Sequence, residues 1–279
     1  MSSKPTPPHR SARNADSQSG VPKMRVLFYA LNACAFGLAA RSILIQPLPI
    51  EVSVAALGIY VAVSLVGVFD LKLRMYVDAI IEGPLRSRGL VLTFDDGPDP
   101  KTTLQVLDAL DEAKATATFF VIAKKAEKYP EIVREIVKRG HRVGLHAYDH
   151  DRLFSLRTPG RVKKDLLRGL DVLENITGER TLLFRPPIGH TNPIIARVVE
   201  ELDLIVIGWS VSARDGTSGA TKEKIMNRLK KGIDHGAIVL MHDASERNDF
   251  DPIGPVVLPD VLAMIKNENI DVVPLENWI

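Results

Sequence analysis

The stretch LVLTFDDGPDP, residues 90–100, decides how this chain folds. A short apolar, β-prone run ends in two adjacent carboxylates, Asp95 and Asp96, and a Gly97–Pro98 turn follows at once. Like charges side by side disfavour each other's ionisation. A strand that runs straight into a turn gains no stability from holding two of them. Asp and Gly-Pro are ordinary turn residues, so the motif alone also reads as a solvated turn. What surrounds it weighs against that bland reading.

Downstream of Leu90 the pattern alternates. β-like runs occur at 90–94 (LVLTF), 116–122 (TATFFVI), 142–146 (RVGLH), 181–185 (TLLFR), 203–209 (DLIVIGW), 236–242 (GAIVLMH) and 270–275 (IDVVPL). Amphipathic helical stretches lie between them. YPEIVREIVKRG has Pro130 near its start and Gly140 at its end, as helix start and stop signals require. In PGRVKKDLLRGLDVLENITG, Val162, Leu166, Leu170, Leu173 and Ile176 recur at helical spacing and Gly178 stops the run. Seven strands alternating with helices predict a parallel α/β barrel or open sheet. Closure is not written in the periodicity.

In parallel α/β folds, ligands bind beyond the carboxyl ends of the strands. Asp95 and Asp96 follow the first run, and His146 and His150 follow the third in HAYDH. The fourth ends in Arg185 and leads into PPIGH. Trp209 and Asp215 follow the fifth, and the sixth holds Leu240 and ends in His242–Asp243. Titratable groups therefore collect on one rim. Two imidazoles four residues apart can face one point, and neutral imidazole with a carboxylate is a zinc-type ligand set that leaves an open position. With one cysteine, Cys34, the chain can form neither an internal disulfide nor a thiolate-rich metal site. One aspartate of the pair would complete such a site and the other would be free as a base. A cation neutralising one of them explains their adjacency. His242 could protonate a leaving amine.

Upstream, residues 1–24 are rich in Ser, Pro and charge without apolar periodicity, which predicts a disordered tail. Two apolar segments follow, Val26–Ile50, interrupted by Arg41, and Val52–Phe69, which is uncharged. A bilayer core needs roughly 20 apolar helical residues, and Arg41 can snorkel. The expectation is a membrane hairpin over 25–70 turning near Gln46–Glu51, then a linker over 71–87 and a catalytic domain over 88–279. Two buried core helices are the alternative, but the second segment is apolar all round rather than striped. A cleaved signal peptide fits poorly, since no polar mature start follows. Both flanks of the hairpin are basic, with Lys4, Arg10, Arg13, Lys23 and Arg25 before it and Lys72, Arg74, Arg86 and Arg88 after it. The positive-inside rule then puts both ends in the cytoplasm. Overall charge is balanced, 36 basic against 34 acidic residues, so no nucleic-acid partner is implied.

TFDDGP, HAYDH, RPPIG, RDG and LMH, in this order, resemble the five motifs of the carbohydrate esterase family 4 polysaccharide deacetylases, the NodB homology domain, over about residues 88–279. The resemblance implies a distorted (β/α) barrel of seven strands and a divalent metal, zinc first, with cobalt or manganese as alternatives. It implies hydrolysis of an acetyl group from an N-acetylated sugar in a polysaccharide or glycan. By position, Asp95 matches the general base, and Asp96, His146 and His150 match the metal ligands. Arg185 matches the residue holding the base, His242 the general acid and Asp215 the group that orients it. Trp209, Leu240, Ile188 and Pro187 match the substrate-binding set, with a backbone N–H near Ile188 facing the oxyanion. The family default is a bacterial inner-membrane or wall setting with the domain in the periplasm, opposite to the charge rule.

Three positions depart from the pattern. Ala147 stands where Ser or Thr is usual, Ile188 where an aromatic is frequent, and Gly216 where Trp usually follows the aspartate. The reacting set is complete while the sugar-stacking wall is reduced. That leaves a polymer, a lipid-linked amino sugar (deacetylation or deformylation at the membrane) and a small ring amide open as substrates. A carbohydrate-binding relative without catalysis is the non-enzymatic alternative; it would lack a ligand, and none is missing.

Overall fold

The computed structural model describes residues 21–247 and 249–279. The tail expectation therefore lies outside the described residues over 1–20, and at Lys23 a helix has already begun. Helices α1 (Lys23–Leu44) and α2 (Ile50–Phe69) form the hairpin, with Pro47 and Pro49 in the intervening turn. No residue of α1 is buried, and in α2 only Gly67 is, so the core-helix alternative fails. Both helices are long and apolar enough to cross a membrane. A hydrogen bond from the Tyr60 hydroxyl to Asn32 Oδ1 (3.0 Å) ties them together.

The sheet has eight strands, not seven: β1 (Ala79–Ile80), β2 (Val91–Asp95), β3 (Ala117–Val121), β4 (Arg142–Leu145), β5 (Leu183–Phe184), β6 (Ile205–Ile207), β7 (Val211–Ser212) and β8 (Ile238–His242). All pair in parallel, in the order β1-β6-β5-β4-β3-β2-β8-β7. β6 and β7 are neighbours in sequence, separated by Gly208–Ser210, yet they border opposite ends of the series. One kinked stretch, 205–212, therefore joins the two ends and curls the sheet into the expected distorted barrel. Gly208 sits at this seam because a Cβ there would lie 2.9 Å from Ile81 Cγ2.

Six of the seven predicted strands are present. The seventh, 270–275, makes only an isolated bridge between Val272 and Leu90. Pro274 has no N–H with which to continue a ladder, and the chain turns over Leu275–Trp278 instead. The segment expected as a linker is packed: Leu71, Met75, Val77 and Ala79 are buried, and β1 pairs with β6. At the start of α1, Arg25 pairs with Asp78 (2.8 Å). Toward the end of α2, the Ser64 carbonyl accepts from the Tyr76 hydroxyl and the Val68 carbonyl from Thr191 N. Both hairpin ends thus meet the same side of the domain.

Helices α3 (Thr102–Ala113), α4 (Ala123–Lys128), α5 (Pro130–Lys138), α6 (Pro159–Thr177), α7 (Pro193–Glu201), α8 (Lys222–Gly232) and α9 (Gly254–Asn267) flank the sheet. In α6, Val162, Leu166, Leu170 and Leu173 are buried and Gly178 closes it with φ 79°, as the spacing predicts. Alternation along β2 separates two cores. Leu92 and Phe94 join the large cluster with helix residues such as Val106 and Leu107. Val91 joins a smaller one with Phe120, Leu183, Ile207, Ile238 and Trp278. Trp278, brought in by the C-terminal turn, belongs to this second core. Thr93 and Arg185 form a polar layer at hydrogen-bond distance (2.9 Å), and the titratable rim lies at the carboxyl ends.

Candidate active site

The strand ends deliver the predicted side chains to one cavity of about 360 Å³, lined among others by Asp95, Asp96, His146, His150, Trp209 and His242. Leu240 and Ile188 line it as well. Pro187 does not: it is buried and only its neighbours Ile188 and Gly189 reach the cavity. Arg185 and Asp215 lie behind the lining, both fully buried.

Asp96 leaves β2 with φ 75°. Its Oδ1 stands 3.6 Å from His146 Nε2 and 3.5 Å from His150 Nε2. Candidate ligand atoms from the three residues all lie within 4.8 Å of one another. Asp96 Oδ1 is buried without a hydrogen-bond partner. A buried carboxylate oxygen facing two imidazole nitrogens and no donor suits a cation. His146 Nδ1 lies 2.8 Å from the Arg185 carbonyl. A carbonyl only accepts, so Nδ1 carries the proton and Nε2 offers its lone pair. Burial, reinforced by His150, holds this imidazole neutral, lowered to about 3. The donor set fits a divalent metal.

Asp95 has a different environment. Its Oδ1 accepts from Arg185 Nη1 at 2.7 Å. Burial pushes its carboxyl up from the ordinary range, and the guanidinium opposes that shift. Arg185 also donates to Thr93 Oγ1 (2.9 Å) and to the carbonyls of Ile207 (3.0 Å) and Gly208 (2.8 Å), and it stacks on Phe120 at 4.2 Å. A fully buried cation is tolerated because its donors are satisfied in one plane.

Across the cavity, His242 Nδ1 lies 2.9 Å from Asp215 Oδ1, and Asp215 Oδ2 accepts from His242 N at 2.9 Å. One carboxylate thus grips both ring and backbone and leaves Nε2 facing the cavity. Burial alone would lower this imidazole. Asp215, with Asp96 and Asp95 behind it, more than offsets that and raises it to about 10. An imidazole raised that far carries its second proton at neutral pH.

Ten non-glycine residues have positive φ among the described residues, and five are at the site: Asp96, Ala147, His150, Ile188 and Arg214. Such conformations cost roughly 1–3 kcal/mol each and persist where the surroundings enforce them. At Ile188, β-branched with φ 50°, the strain is greatest for its type.

Several supporting residues stand outside the predicted site set. Lys125, on α4, donates to the Asp96 carbonyl (2.8 Å) and the Ser245 carbonyl (2.6 Å). Asp243 is buried, accepts from Thr103 Oγ1, and is pushed by burial to about 7. A Cβ on Gly97 would fall 2.1 Å from Asp243 Oδ2, which accounts for the glycine of TFDDGP. Glu246 Oε1 lies 3.7 Å from His150 Nδ1. Phe250 lines the cavity, in a loop outside every motif. At Gly216 a Cβ would come within 2.8 Å of the His242 ring, so this loop has no room for the usual tryptophan.

The sequence profile of the family described as polysaccharide deacetylase matches residues 82–207. A peptidoglycan-N-acetylglucosamine deacetylase of Bacillus cereus is 36% identical over 164 residues, covering 58% of this chain and 76% of that protein. The chain belongs to the polysaccharide deacetylase family. Membership makes it a hydrolase of the deacetylase type. A peptidoglycan-N-acetylmuramic acid deacetylase of Bacillus subtilis, PdaC, is 35% identical over 154 residues, and here the match spans only 32% of the relative's length. A crystal structure of a peptidoglycan N-acetylglucosamine deacetylase in complex with 4-naphthalen-1-yl-N-oxidanyl-benzamide superposes with a TM-score of 0.66 at 26% identity. It covers 71% of this chain and 91% of that one.

Proposed function

We propose that the protein hydrolyses the N-acetyl amide of an amino sugar in a glycan, using a divalent metal at Asp96, His146 and His150. The carrying observation is the orphaned Asp96 Oδ1 between two imidazole Nε2 atoms, beside a base held by Arg185 and opposite an acid held by Asp215. Zinc suits two imidazoles, one carboxylate and an open position. Bound there, the cation supplies Lewis acidity toward water and toward the acyl carbonyl.

The chain's own residues move the protons. Asp95, held by Arg185, takes a proton from water as the water oxygen adds to the acyl carbon. His242 gives the proton on Nε2 to the departing nitrogen as the C–N bond breaks, leaving acetate and a free amine. Leu240 and Trp209 border the space for the acetyl methyl, and Phe250 adds an aromatic face for the sugar. The complete set supports catalysis over a purely carbohydrate-binding role.

The hairpin is the membrane anchor in this reading, and its basic ends, Lys23, Arg25, Lys72 and Arg74, favour the cytoplasmic face over the family's periplasmic default. A reporter fused after Ile279 that is active only outside the cytoplasm overturns that side. For the chemistry, the full chain in detergent is stripped of metal and assayed for amine release from N-acetylglucosamine oligomers with and without zinc. Activity is expected to return with zinc and to be lost in Asp95→Asn and His146→Ala. Equal turnover in either variant refutes the assignment.

A further inference from the structure

A second cavity, about 750 Å³, adjoins the first and is larger. Ile188, Gly189 and Trp209 line both. At its other end it is bounded by Phe69, the last residue of α2, and by the residues that follow it. Phe69 is 60% exposed and closes an apolar helix of 20 residues, about the length that spans a bilayer core. The cavity therefore runs from the point where the anchor leaves the lipid to the edge of the catalytic pocket.

Its charge is one-sided. Lys72, Arg214, Arg228 and Lys231 line it, against one carboxylate, Asp70. Asp70 Oδ1 accepts from the Lys72 backbone N–H (3.0 Å). Two of the cations are held in place by the wall: Lys72 Nζ donates to the Ser210 carbonyl (2.6 Å) and Arg228 Nη1 to the Ala213 carbonyl (2.8 Å). Arg214, held at φ 53°, directly precedes Asp215. Clustered guanidinium and ammonium groups match the oxygens of a phosphate ester. A neutral glycan strand would leave these charges unused.

We propose that this basic groove seats the phosphate or diphosphate of a lipid-linked amino sugar, so that the lipid stays in the membrane beside α2 while the N-acyl group enters the catalytic pocket. The proposal rests on the hydrolase reading and narrows its substrate from a polymer to a membrane-held saccharide phosphate.

The test uses the full chain in neutral detergent and two probes with the same sugar, a farnesyl-diphosphate-linked N-acetylglucosamine and an uncharged dodecyl N-acetylglucosaminide. The wild type is expected to favour the diphosphate probe at least tenfold in kcat/KM, mainly through KM. R214E/K231E, both changes at exposed positions, is expected to abolish that preference, and R134E/K138E, a matched double charge reversal at exposed positions on α5, to keep it. No preference in the wild type, or one that survives R214E/K231E, overturns the proposal. So does a preference that is unchanged while only binding to phosphatidylglycerol vesicles falls, since the cations would then be a membrane-surface patch. If neither probe is hydrolysed, the hydrolase reading has failed and the groove is judged by inorganic pyrophosphate alone. A saturable change in tryptophan fluorescence, weakened at least tenfold by R214E/K231E, upholds the groove, and its absence overturns it.

Discussion

Asp215→Asn isolates the acid. Asparagine keeps the shape and an acceptor for His242 N, so the loop should hold, but the charge that lifts the imidazole is gone. His242 is raised from 6.5 to about 10 although burial pulls the other way. Without Asp215 the value returns to 6.5 or below, because burial is then opposed only by the more distant carboxylates. At pH 8 the wild-type imidazole is almost wholly protonated. A pKa of 6.5 leaves about 3% protonated, which predicts a loss in kcat/KM of about 30-fold or more. The deficit should shrink toward pH 6, where most of the variant's imidazole is charged again. The assay is amine release from an N-acetylated sugar by metal-loaded protein between pH 6 and 9, with metal content checked for each variant. A constant deficit across that range would refute the reasoning, since it would mean that Asp215 only shapes the loop.

Other outcomes follow from the same geometry. Arg185→Lys removes the planar fork that serves Asp95, Thr93 and two carbonyls; breaking such a buried pair costs about 3–5 kcal/mol, or about 10 °C in Tm by calorimetry. Gly216→Ala pushes a methyl against the His242 ring and should lower kcat while zinc binding is unchanged; Gly216→Trp should do worse rather than rebuild the wall. Asp96→Asn should weaken zinc at least about 100-fold in a competition titration with a chromophoric chelator. The Asp215–His242 pair raises an imidazole, so its contribution to stability is full below pH 6.5 and is lost as pH rises through about 10. In Tm profiles of metal-free protein, the wild-type advantage over Asp215→Asn should fade across that window.

The rim was readable because chemistry in a parallel α/β fold must gather where strands end, and TFDDGP, HAYDH and LMH stand at such ends. Long periodic helices such as α6 were readable for the same local reason. β1 and β7 were not, since two residues of strand carry no periodicity and owe their pairing to β6 and β8 far away in the chain. The false strand at 270–275 has the right composition and one proline too many. Asp243 was readable at the rim, but its burial and the supporting places of Lys125 and Glu246 were not, because burial is a property of the fold. Phe250 lies in an irregular loop, and only the folded chain brings it to the cavity. Gly216 was read as a missing aromatic; the structure shows a loop with the His242 ring pressed against its backbone.

The seam at 205–212 ties activity to integrity. The same eight residues join the two ends of the sheet, offer Arg185 the carbonyls of Ile207 and Gly208, and carry Trp209 into the cavity. Freeing them opens the barrel and disarms the base in one event, with no intact but inactive barrel in between. Loss of turnover in urea should then coincide with loss of the sheet itself, and amide exchange along Ile205–Ser212 should be as slow as in its most protected strands.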